Sequence, residues 1–398
     1  MADEQLPPDR ADARAPESAA ARPPRGRRLL RIGGRALLAL LSACALAVTA
    51  AGWTALDQLS GEVSSSEVLV EEPPDAPRAD DGATDVLLVG SDSRTDARGE
   101  PLPLDVLRAL RTESTSGLNT DTLILLRVPH DGARPTAVSL PRDTSVPVPG
   151  GGTQKINAVY GLAKAAAGRR GADEAAARLA GQRALVRSAQ DLAGVRVDHY
   201  AEVNLLGFYE VTEALGGVEV CLRQATSDKD SGADFAAGRQ TVSGGDALAF
   251  VRQRHGLPRG DLDRIVRQQV FLAAVTHELL STGTLTDPAK LAELRDAAGR
   301  SVVLDRSWDI AGFAARMEDL ASGGVRFVTL PVRSTAARDE HGQSVVAVDR
   351  AEVREFVAGL VHPSGFSGGG AVALDGGARR AAPAPRNPIT SDGIPCVN

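Results

Sequence analysis

The longest uncharged apolar run of the chain lies near its N-terminus. Residues 36–53 (ALLALLSACALAVTAAGW) carry no charge over 18 positions, just enough for a helix to cross a bilayer. Six arginines lie between residues 22 and 35, so the positive-inside rule places the N-terminus in the cytoplasm and the rest outside. We therefore predict a single-pass membrane protein with one transmembrane anchor. A cleaved signal peptide, cut near Val48-Thr49-Ala50, and a buried core helix are the alternatives.

Beyond this run, short β-branched segments alternate with longer amphipathic ones. The short segments end at turn residues, which is typical of buried strands, and lie at 85–90, 122–128, 136–140, 199–203, 218–222, 325–330 and 344–348. Helices are predicted at 157–167, 172–192, 205–215 (with Asn204 as N-cap), 264–280, 288–298, 308–320 and 350–360. This alternation predicts an α/β sandwich with a central mixed sheet flanked by helices, preceded by one transmembrane helix.

The remaining segments are poor in large apolar residues. Residues 1–35 form a basic, disordered cytoplasmic tail, and the Pro-rich, acidic stretch 54–82 is a flexible spacer. The folded, extracytoplasmic domain is predicted to cover residues 83–362. Residues 363–398 are rich in Gly, Ala and Pro and form a low-complexity C-terminal tail, which is mobile unless Cys396 holds it.

Charge and cysteine content narrow the possible functions. With 45 basic and 51 acidic residues the net charge is −6, so we expect no nucleic acid partner. The six histidines are scattered without HExxH spacing, which argues against a zinc site. Cys44 lies in the apolar run, whereas Cys221 and Cys396 would meet an oxidising exterior. The sequence leaves open whether those two cysteines pair or stay as free thiols.

Two acidic motifs follow or open predicted strands. GSDSR (residues 90–94) follows the first strand and brings Asp92 and Arg94 to its carboxyl end, where α/β folds place ligands. NTDT (residues 119–122) puts Asp121 at the start of the next strand. Two carboxylates at neighbouring strand ends could hold Mg²⁺, or Mn²⁺ in its place, together with phosphate oxygens. The alternative for each motif is an ordinary turn or cap.

Basic residues follow in two further segments. In LPRDTSVPVPG (residues 140–150), Arg142 and Asp143 lead from a strand into a Pro/Gly-rich loop without regular structure, and Lys155 follows at a helix entrance that favours anions. An Arg–Asp surface pair is the alternative.

The densest basic stretch is ALAFVRQRHGLPRGDLDRIVRQQ, residues 247–269. It contains five arginines, and helical spacing predicts that Arg264, Arg267 and Gln268 share one face. Converging guanidiniums repel one another unless an anion lies between them, and pyrophosphate suits their paired donors. The alternative is a solvated basic face.

These segments, in this order after a single N-terminal span, resemble the LytR-CpsA-Psr family of bacterial envelope proteins. The resemblance rests on DVLLVGSDSR, TDTLILLRV, VSLPRDTSVPVPG with QKINAVYG, GFYEVTEALGGVEVCL and GGDALAFVRQRHGLPRGDLDRIVRQQ. It implies an α/β domain that encloses a prenyl chain and an Mg²⁺-dependent phosphotransferase. Such an enzyme moves a glycopolymer from a polyprenyl-pyrophosphate-linked donor to the acceptor peptidoglycan at the membrane lipid surface.

The resemblance also assigns residues. The metal carboxylates correspond to Asp92 and Asp121, and the phosphate-binding residues to Arg142, Arg252, Arg254, Arg264 and Gln268. Of these we expect Arg142, Arg254 and Arg264 to be catalytic, and Arg94, Lys155, Arg252, Arg267 and Gln268 to bind substrate. One departure is Asn119, where many members have Arg. A pyrophosphate hydrolase and a non-catalytic glycopolymer binder are the alternative functions.

Overall fold

The computed structural model describes residues 64–69, 77–78, 80–97, 99–112, 119–148, 151–279, 284, 287–309, 312–313, 324–361, 389–390 and 393–398. The predicted anchor at 36–53, the basic tail and most of the predicted helix at 308–320 lie outside these residues. Within the described ranges, none of the helices combines the length and the apolar character that a bilayer crossing requires.

The strands of the described residues are, in chain order, β1 (Ser64–Ser66), β2 (Ala83–Ser91), β3 (Thr120–Pro129), β4 (Thr136–Ser139), β5 (Ser145–Pro147), β6 (Thr153–Lys155), β7 (His199–Val203), β8 (Val218–Leu222), β9 (Thr226–Asp228), β10 (Ala233–Phe235), β11 (Gly238–Val242), β12 (Val302–Asp305), β13 (Arg326–Thr329), β14 (Ser334–Arg338), β15 (Ser344–Ala347) and β16 (Ile389–Thr390). The helices are α1 (Leu104–Ala109), α2 (Ile156–Arg169), α3 (Glu174–Ala193), α4 (Leu205–Ala214), α5 (Gly244–Arg252), α6 (Asp261–Leu279), α7 (Pro288–Ser301) and α8 (Arg350–Ala358).

Eight strands form one central sheet in the order β1-β12-β7-β2-β3-β4-β13-β16. β2 runs antiparallel to β3 and parallel to β7, and β4 runs parallel to β13. The sheet is therefore mixed, and the predicted fold class is confirmed for the α/β part. The other strands form short two-stranded antiparallel sheets, β5-β6, β8-β11, β9-β10 and β14-β15.

Helices cover both faces of the sheet, which explains why its central strands are apolar at nearly every position. On one face Leu87 and Val89 of β2 join a core with residues of α2, α3 and α8. On the other face Ile124 of β3 joins a core with Phe250 of α5 and Phe271 of α6. Consecutive residues of one strand thus enter opposite cores.

Local sequence sets the helix boundaries. The Asp173 side chain accepts a hydrogen bond from the Ala176 N–H at 2.8 Å at the start of α3, and Gly194 ends that helix in the left-handed region. The predicted N-cap of α4 is confirmed, because the Asn204 side chain accepts a hydrogen bond from the Gly207 N–H at 2.8 Å.

The predicted limits of the folded domain, 83–362, are too narrow at both ends. β1 lies in the predicted spacer and pairs with β12, and β16 lies in the predicted C-terminal tail and pairs with β13. Cys221 and Cys396 form a disulfide with their Cα atoms 4.3 Å apart, which resolves the open pairing. Val397 and the strand residue Cys221 then share a backbone hydrogen bond of 2.9 Å. The last residues therefore belong to the fold.

One local expectation is also wrong. The Pro/Gly-rich loop after β4 was expected to lack regular structure, but β5 and β6 pair in it as an antiparallel hairpin. Pro147 is tolerated because this ribbon has only two strands, so the missing N–H can face outward. The hairpin leads directly into α2 and fixes the positions of Asp143 and Lys155.

Candidate active site

A cavity of about 270 Å³ lies between the sheet and the layer formed by α4, α5 and α6. Most of its wall is apolar, and its lining includes Leu88, Ile124, Ala201, Val203, Leu205, Phe208, Val211, Leu248, Val251, Phe271, Leu272 and Val275. Asp92, Asp121, Arg252, Arg264 and Gln268 supply its polar lining. The cavity is therefore apolar along most of its wall and charged where β2 ends and β3 begins.

The register of β2 against β3 brings the two predicted metal carboxylates to this place. Gly90 pairs with Thr122, a register shift follows, and Ser91 then pairs with Thr120. The Asp92 N–H donates to the Asn119 carbonyl at 2.9 Å, which places the residue next to the strand that carries Asp121. Asp92 and Asp121 thus lie at the same end of the neighbouring strands β2 and β3, as predicted.

Two arginines hold the Asp92 carboxylate. Arg94 Nη1 donates to Asp92 Oδ2 at 2.9 Å, and Arg252 Nη2 donates to Asp92 Oδ1 at 3.2 Å. Arg252 is itself oriented by the Leu110 carbonyl, to which its Nη1 donates at 3.1 Å. Two of the three predicted substrate-binding arginines, Arg94 and Arg252, therefore lie beside Asp92 at the charged end of the cavity.

Arg142 holds the second carboxylate. Its Nη1 donates to Asp121 Oδ1 at 2.8 Å, and its Nε lies 3.7 Å from Asp143 Oδ2 and 3.6 Å from Asp261 Oδ1. Burial by itself lowers the pKa of Arg142, but the carboxylates of Asp121, Asp261 and Asp143 outweigh burial, so that the pKa is raised. Arg142 therefore stays fully charged at a nearly buried position.

Arg264 is the most buried cation that lines the cavity. It is 3% exposed, and its Nη2 forms an ion pair with Asp261 Oδ1 at 2.7 Å. Burial lowers the pKa of Arg264 most, Asp261 and Asp121 oppose this, Arg142 and Arg254 add to it, and together these effects bring the pKa to about 10. The buried Arg264 Nε has no hydrogen-bond partner among the described residues, so one donor of this guanidinium is left for an anion.

Arg254, Lys155 and Gln268 complete the set. Arg254 is half exposed, with its Nε 3.8 Å from Asp261 Oδ1, and Lys155 Nζ lies 3.0 Å from Asp143 Oδ1. Gln268 donates to the Val251 carbonyl at 3.3 Å and lines the cavity.

The prediction that Arg267 points with Arg264 toward a bound anion is wrong. The residues of α6 that line the cavity recur at Arg264, Gln268, Phe271 and Val275, and Arg267 lies about 60° away from Arg264 around the helix. Its Nε donates to the Asn398 backbone oxygen at 2.5 Å, its Nη1 donates to Gln253 Oε1 at 2.6 Å, and its guanidinium lies 5.1 Å from the Phe250 ring centre. Arg267 therefore joins α6 to the C-terminal residues.

Asp261 is the residue that the sequence analysis missed. Its carboxylate contacts Arg142, Arg254 and Arg264 and so links three of the predicted phosphate ligands. The sequence does contain a signal for one of these contacts: Asp261 lies three residues before Arg264 in GDLDR, and residues i and i+3 are neighbours on a helix.

The donor set fits a hard divalent cation. Asp92 and Asp121 offer carboxylate oxygens at the end of the cavity that Arg252 and Arg264 also line, and Mg²⁺ typically takes one or two protein carboxylates and completes its shell with phosphate and water. In the described part of the chain, the group of three that could hold an ion is elsewhere, at Asp228, Asp230 and His255. The Asp228 carboxylate is already bonded to Ser231 Oγ at 2.9 Å and to the Arg254 N–H at 3.3 Å.

We compared the chain with protein families and with known proteins, and the matches agree on one family. The LytR_cpsA_psr family model matches residues 51–360. The cell wall biosynthesis protein LcpA of Corynebacterium glutamicum is 47% identical over 339 residues, which cover 81% of this chain and 64% of that protein. A polyisoprenyl-teichoic acid–peptidoglycan teichoic acid transferase, TagU of Oceanobacillus iheyensis, is 32% identical over 48% of this chain and 54% of its own length.

The chain thus spans between one half and two thirds of each of these relatives. The crystal structure of B. subtilis TagV has a TM-score of 0.51 at 20% identity, covering 71% of this chain and 98% of that one, which supports the same fold. The family model covers most of the chain and includes every residue of the charged end of the cavity. The chain therefore belongs to the LytR_cpsA_psr family.

Proposed function

We propose that this chain transfers a glycopolymer from a polyprenyl-pyrophosphate carrier to peptidoglycan during cell-wall assembly. One observation carries the proposal: a single cavity joins a long apolar wall to a cluster of arginines and carboxylates. A lipid-linked pyrophosphate has the same two parts, an apolar chain and a doubly charged head. The names of the LcpA and TagU relatives, a cell wall biosynthesis protein and a teichoic acid transferase, support the same class of reaction.

In the proposed reaction, a peptidoglycan hydroxyl attacks the phosphorus that bears the glycopolymer. A new P–O bond forms, the P–O bond to the bridging oxygen of the pyrophosphate breaks, and polyprenyl phosphate leaves with the electron pair. The hydroxyl proton passes to water or to a nearby base. No covalent enzyme intermediate is required.

The arginines of the site would stabilise the charge that develops. Arg264, Arg142 and Arg254 converge on Asp261, so that an anion placed there would meet all three guanidiniums. Arg94, Arg252, Lys155 and Gln268 would bind and orient the phosphates. Such fixed donors lower the barrier because they are already oriented before the charge appears.

Asp92 and Asp121 would hold Mg²⁺, or Mn²⁺, when it is bound. The ion would neutralise phosphate charge and make the phosphorus more open to attack. Both carboxylates are paired with arginines in the structure, and these arginines would be available to the phosphates if a cation neutralised the carboxylates.

The proposed location follows from the sequence and the substrates. The charge-free run at 36–53 would anchor the chain in the cell membrane by a single pass, with the catalytic domain outside. Donor and acceptor both belong to that side of the membrane. The donor lipid then reaches the cavity from the bilayer in which it is carried.

The direct test uses the full-length chain in vesicles that contain a polyprenyl-pyrophosphate-linked glycan, with Mg²⁺ and peptidoglycan strands. We expect glycan covalently joined to the strands, detected by mass spectrometry, and its loss with EDTA. Free glycan phosphate without a joined product would instead support the pyrophosphate hydrolase, whose donor site would be identical. The absence of any conversion of lipid-linked donors would overturn both enzymatic assignments.

A further inference from the structure

The loop between α5 and α6, residues 253–260, carries Arg254 toward Asp261. The Arg254 side chain is 49% exposed, and its Nε lies 3.8 Å from Asp261 Oδ1. An exposed ion pair at this distance contributes little to fixing a long side chain, which has many rotamers to choose from. The place of the guanidinium therefore depends on where the loop holds the Arg254 backbone.

A buried carboxylate holds this backbone. Asp228 ends β9 and is 6% exposed. Its Oδ2 accepts hydrogen bonds from the Arg254 N–H at 3.3 Å and from the His255 N–H at 3.4 Å. The same carboxylate also accepts from Ser231 Oγ at 2.9 Å and from the Asp230 N–H at 3.0 Å. Two of the four donors on one buried carboxylate thus belong to the loop.

The charge of Asp228 strengthens these contacts. Burial raises the pKa of Asp228 most, but the hydrogen bonds from its four donors outweigh burial, so that the pKa lies below its ordinary value. The group is therefore ionised at neutral pH, and hydrogen bonds to an ionised acceptor are about twice as strong as neutral ones. This compensates for the loop bonds being longer than the typical length of about 2.9–3.0 Å.

The residue before Arg254 fastens the loop to the same strand. Gln253 is fully buried, and its Nε2 donates to Thr226 Oγ1 at 2.5 Å and to the His255 carbonyl at 3.0 Å. β9 therefore holds the loop at two points, through Thr226 and through Asp228. The backbone is bound on both sides of Arg254, while the Arg254 side chain reaches Asp261.

We propose that Asp228 is a positioning residue, which fixes the Arg254 backbone and so keeps that guanidinium beside Asp261. Arg142 and Arg264 contact the same Asp261 carboxylate. Asp228 does not line the cavity, so it acts through Arg254 and not by contact with a ligand. The contact with the backbone stands on geometry alone, whereas an effect on turnover rests on the proposed function.

The backbone contact is tested by amide hydrogen exchange in the full-length chain, resolved to single residues by mass spectrometry with fragmentation. The Asp228→Ser side chain ends one atom short of the loop, whereas Asp228→Asn keeps an oxygen in place of the carboxylate. Asp230→Ala is the matched control, since this exposed acid is two residues away and contacts the His255 ring at 3.1 Å.

We expect the Arg254 and His255 amides to exchange slowly in wild type and about tenfold faster in Asp228→Ser, the factor for losing one charge-assisted hydrogen bond. Asp228→Asn should lie between the two, and Asp230→Ala should match wild type. Unprotected amides at both positions in wild type would overturn the proposal, and so would equal protection in Asp228→Ser.

Action through Arg254 is tested by a double-mutant cycle on kcat of glycan transfer. Asp228→Ser should lower kcat about 30-fold, because a guanidinium displaced by about 1 Å no longer meets the developing charge. The same change in an Arg254→Ala background should cost less than about threefold, since the group that Asp228 positions is already gone. Asp228→Asn, which keeps the shape of the side chain, should lose about fivefold with the same dependence on Arg254. Equal losses in the two backgrounds would overturn the proposal, because they would show a general effect on the fold.

The proposed function and the role of Asp228 can fail separately. Wild-type protein that transfers no glycan would overturn the proposed function. The cycle is then measured as the dissociation constant for pyrophosphate with Mg²⁺, which Asp228→Ser should raise about tenfold with Arg254 in place and leave unchanged without it. An equal rise in both backgrounds, or no rise in either, would overturn the role of Asp228.

Discussion

Arg264 and Arg267 lie three positions apart on α6, yet the two guanidiniums have different surroundings. Arg264 lines the cavity, whereas Arg267 is fully buried against Gln253, Phe250 and the C-terminal residues. We therefore expect Arg264 to serve the proposed reaction and Arg267 to serve stability.

The Arg264→Lys variant should lose transfer activity while it stays folded. Lysine keeps the charge but cannot contact two phosphate oxygens with a planar fork, so we expect kcat to fall about 100-fold. Arg259→Lys is the matched control, since Arg259 lies nearby and pairs with Asp263. Initial rates and thermal unfolding should be measured for both, and equal rate losses would contradict the assignment of Arg264.

The Arg267→Met variant should show the opposite result. Methionine fills much of the buried space but leaves the Gln253 side chain and the Asn398 oxygen without their donor, so the free energy of unfolding should fall by about 3 kcal/mol. Urea unfolding measures this loss, and kcat of the folded variant should stay within a few-fold of wild type. A selective loss of activity at unchanged stability would restore Arg267 to the phosphate site.

Asp85 should make stability depend on pH. Burial raises the pKa of Asp85 most, Arg127 opposes this, Asp81 and Asp198 add to it, and together these effects raise the pKa from 3.8 to about 8. The folded state then keeps a proton that the unfolded state releases above about pH 4. The free energy of unfolding should therefore fall as pH rises to about 8, by up to about 1.4 kcal/mol per unit.

The Asp85→Asn variant removes this titration because its amide is neutral at every pH. Urea unfolding at pH 5 and pH 8 should show a smaller difference between the two pH values in the variant than in wild type. Equal pH dependence of the two proteins would mean that Asp85 ionises normally in the folded state.

The sequence could predict which residue types form the site, but only part of their orientation. Asp92 and Asp121 follow from strand ends, which the apolar pattern locates. The turn of Arg267 away from Arg264 depends on α6 packing against the C-terminal residues, a contact between segments far apart in sequence. The contact of Asp261 with Arg142 could not be predicted, because Arg142 lies on another element.

At the scale of elements, prediction succeeded where burial on both faces makes a strand apolar throughout, as in β2, β3, β4 and β7. It missed β12, since VVLD follows α7 without a turn residue to separate strand from helix.

The sequence analysis also missed the helices α1 and α5. α5 begins at a glycine pair, which normally disfavours a helix. Gly245 is needed there because a Cβ atom would lie 2.9 Å from the Ala109 carbonyl oxygen.

The cavity-lining face of α6 gives a prediction about chain length. Val275 lies on that face, three turns after Arg264 and away from the charged residues. Val275→Trp should fill part of the cavity and lower activity on long-chain donors more than on short-chain donors. His277→Trp is the control, since His277 is exposed on the same helix. Activity measured over a series of prenyl lengths tests this, and equal losses at all lengths would argue against a chain-binding cavity.

At the scale of the whole molecule, the disulfide closes a loop of 175 residues and holds the C-terminal residues against β8. Removing it by Cys396→Ser should lower the free energy of unfolding by about 3–5 kcal/mol, because the unfolded chain gains conformational freedom. Cys44→Ser is the control and should unfold as wild type does in urea. A Cys396→Ser protein of unchanged stability would show that strand pairing alone secures the C-terminal residues.

The carboxylates at the charged end of the cavity compete with an incoming anion for the same arginines. Asp261, Asp121 and Asp92 already pair with the guanidiniums, so a ligand must displace them, and a pyrophosphate with a divalent cation would do so more readily than a lone monophosphate. In the proposed reaction the leaving lipid would carry one phosphate instead of two, so the aspartates could pair with their arginines again. The acidic groups of the site would then favour release of the lipid product.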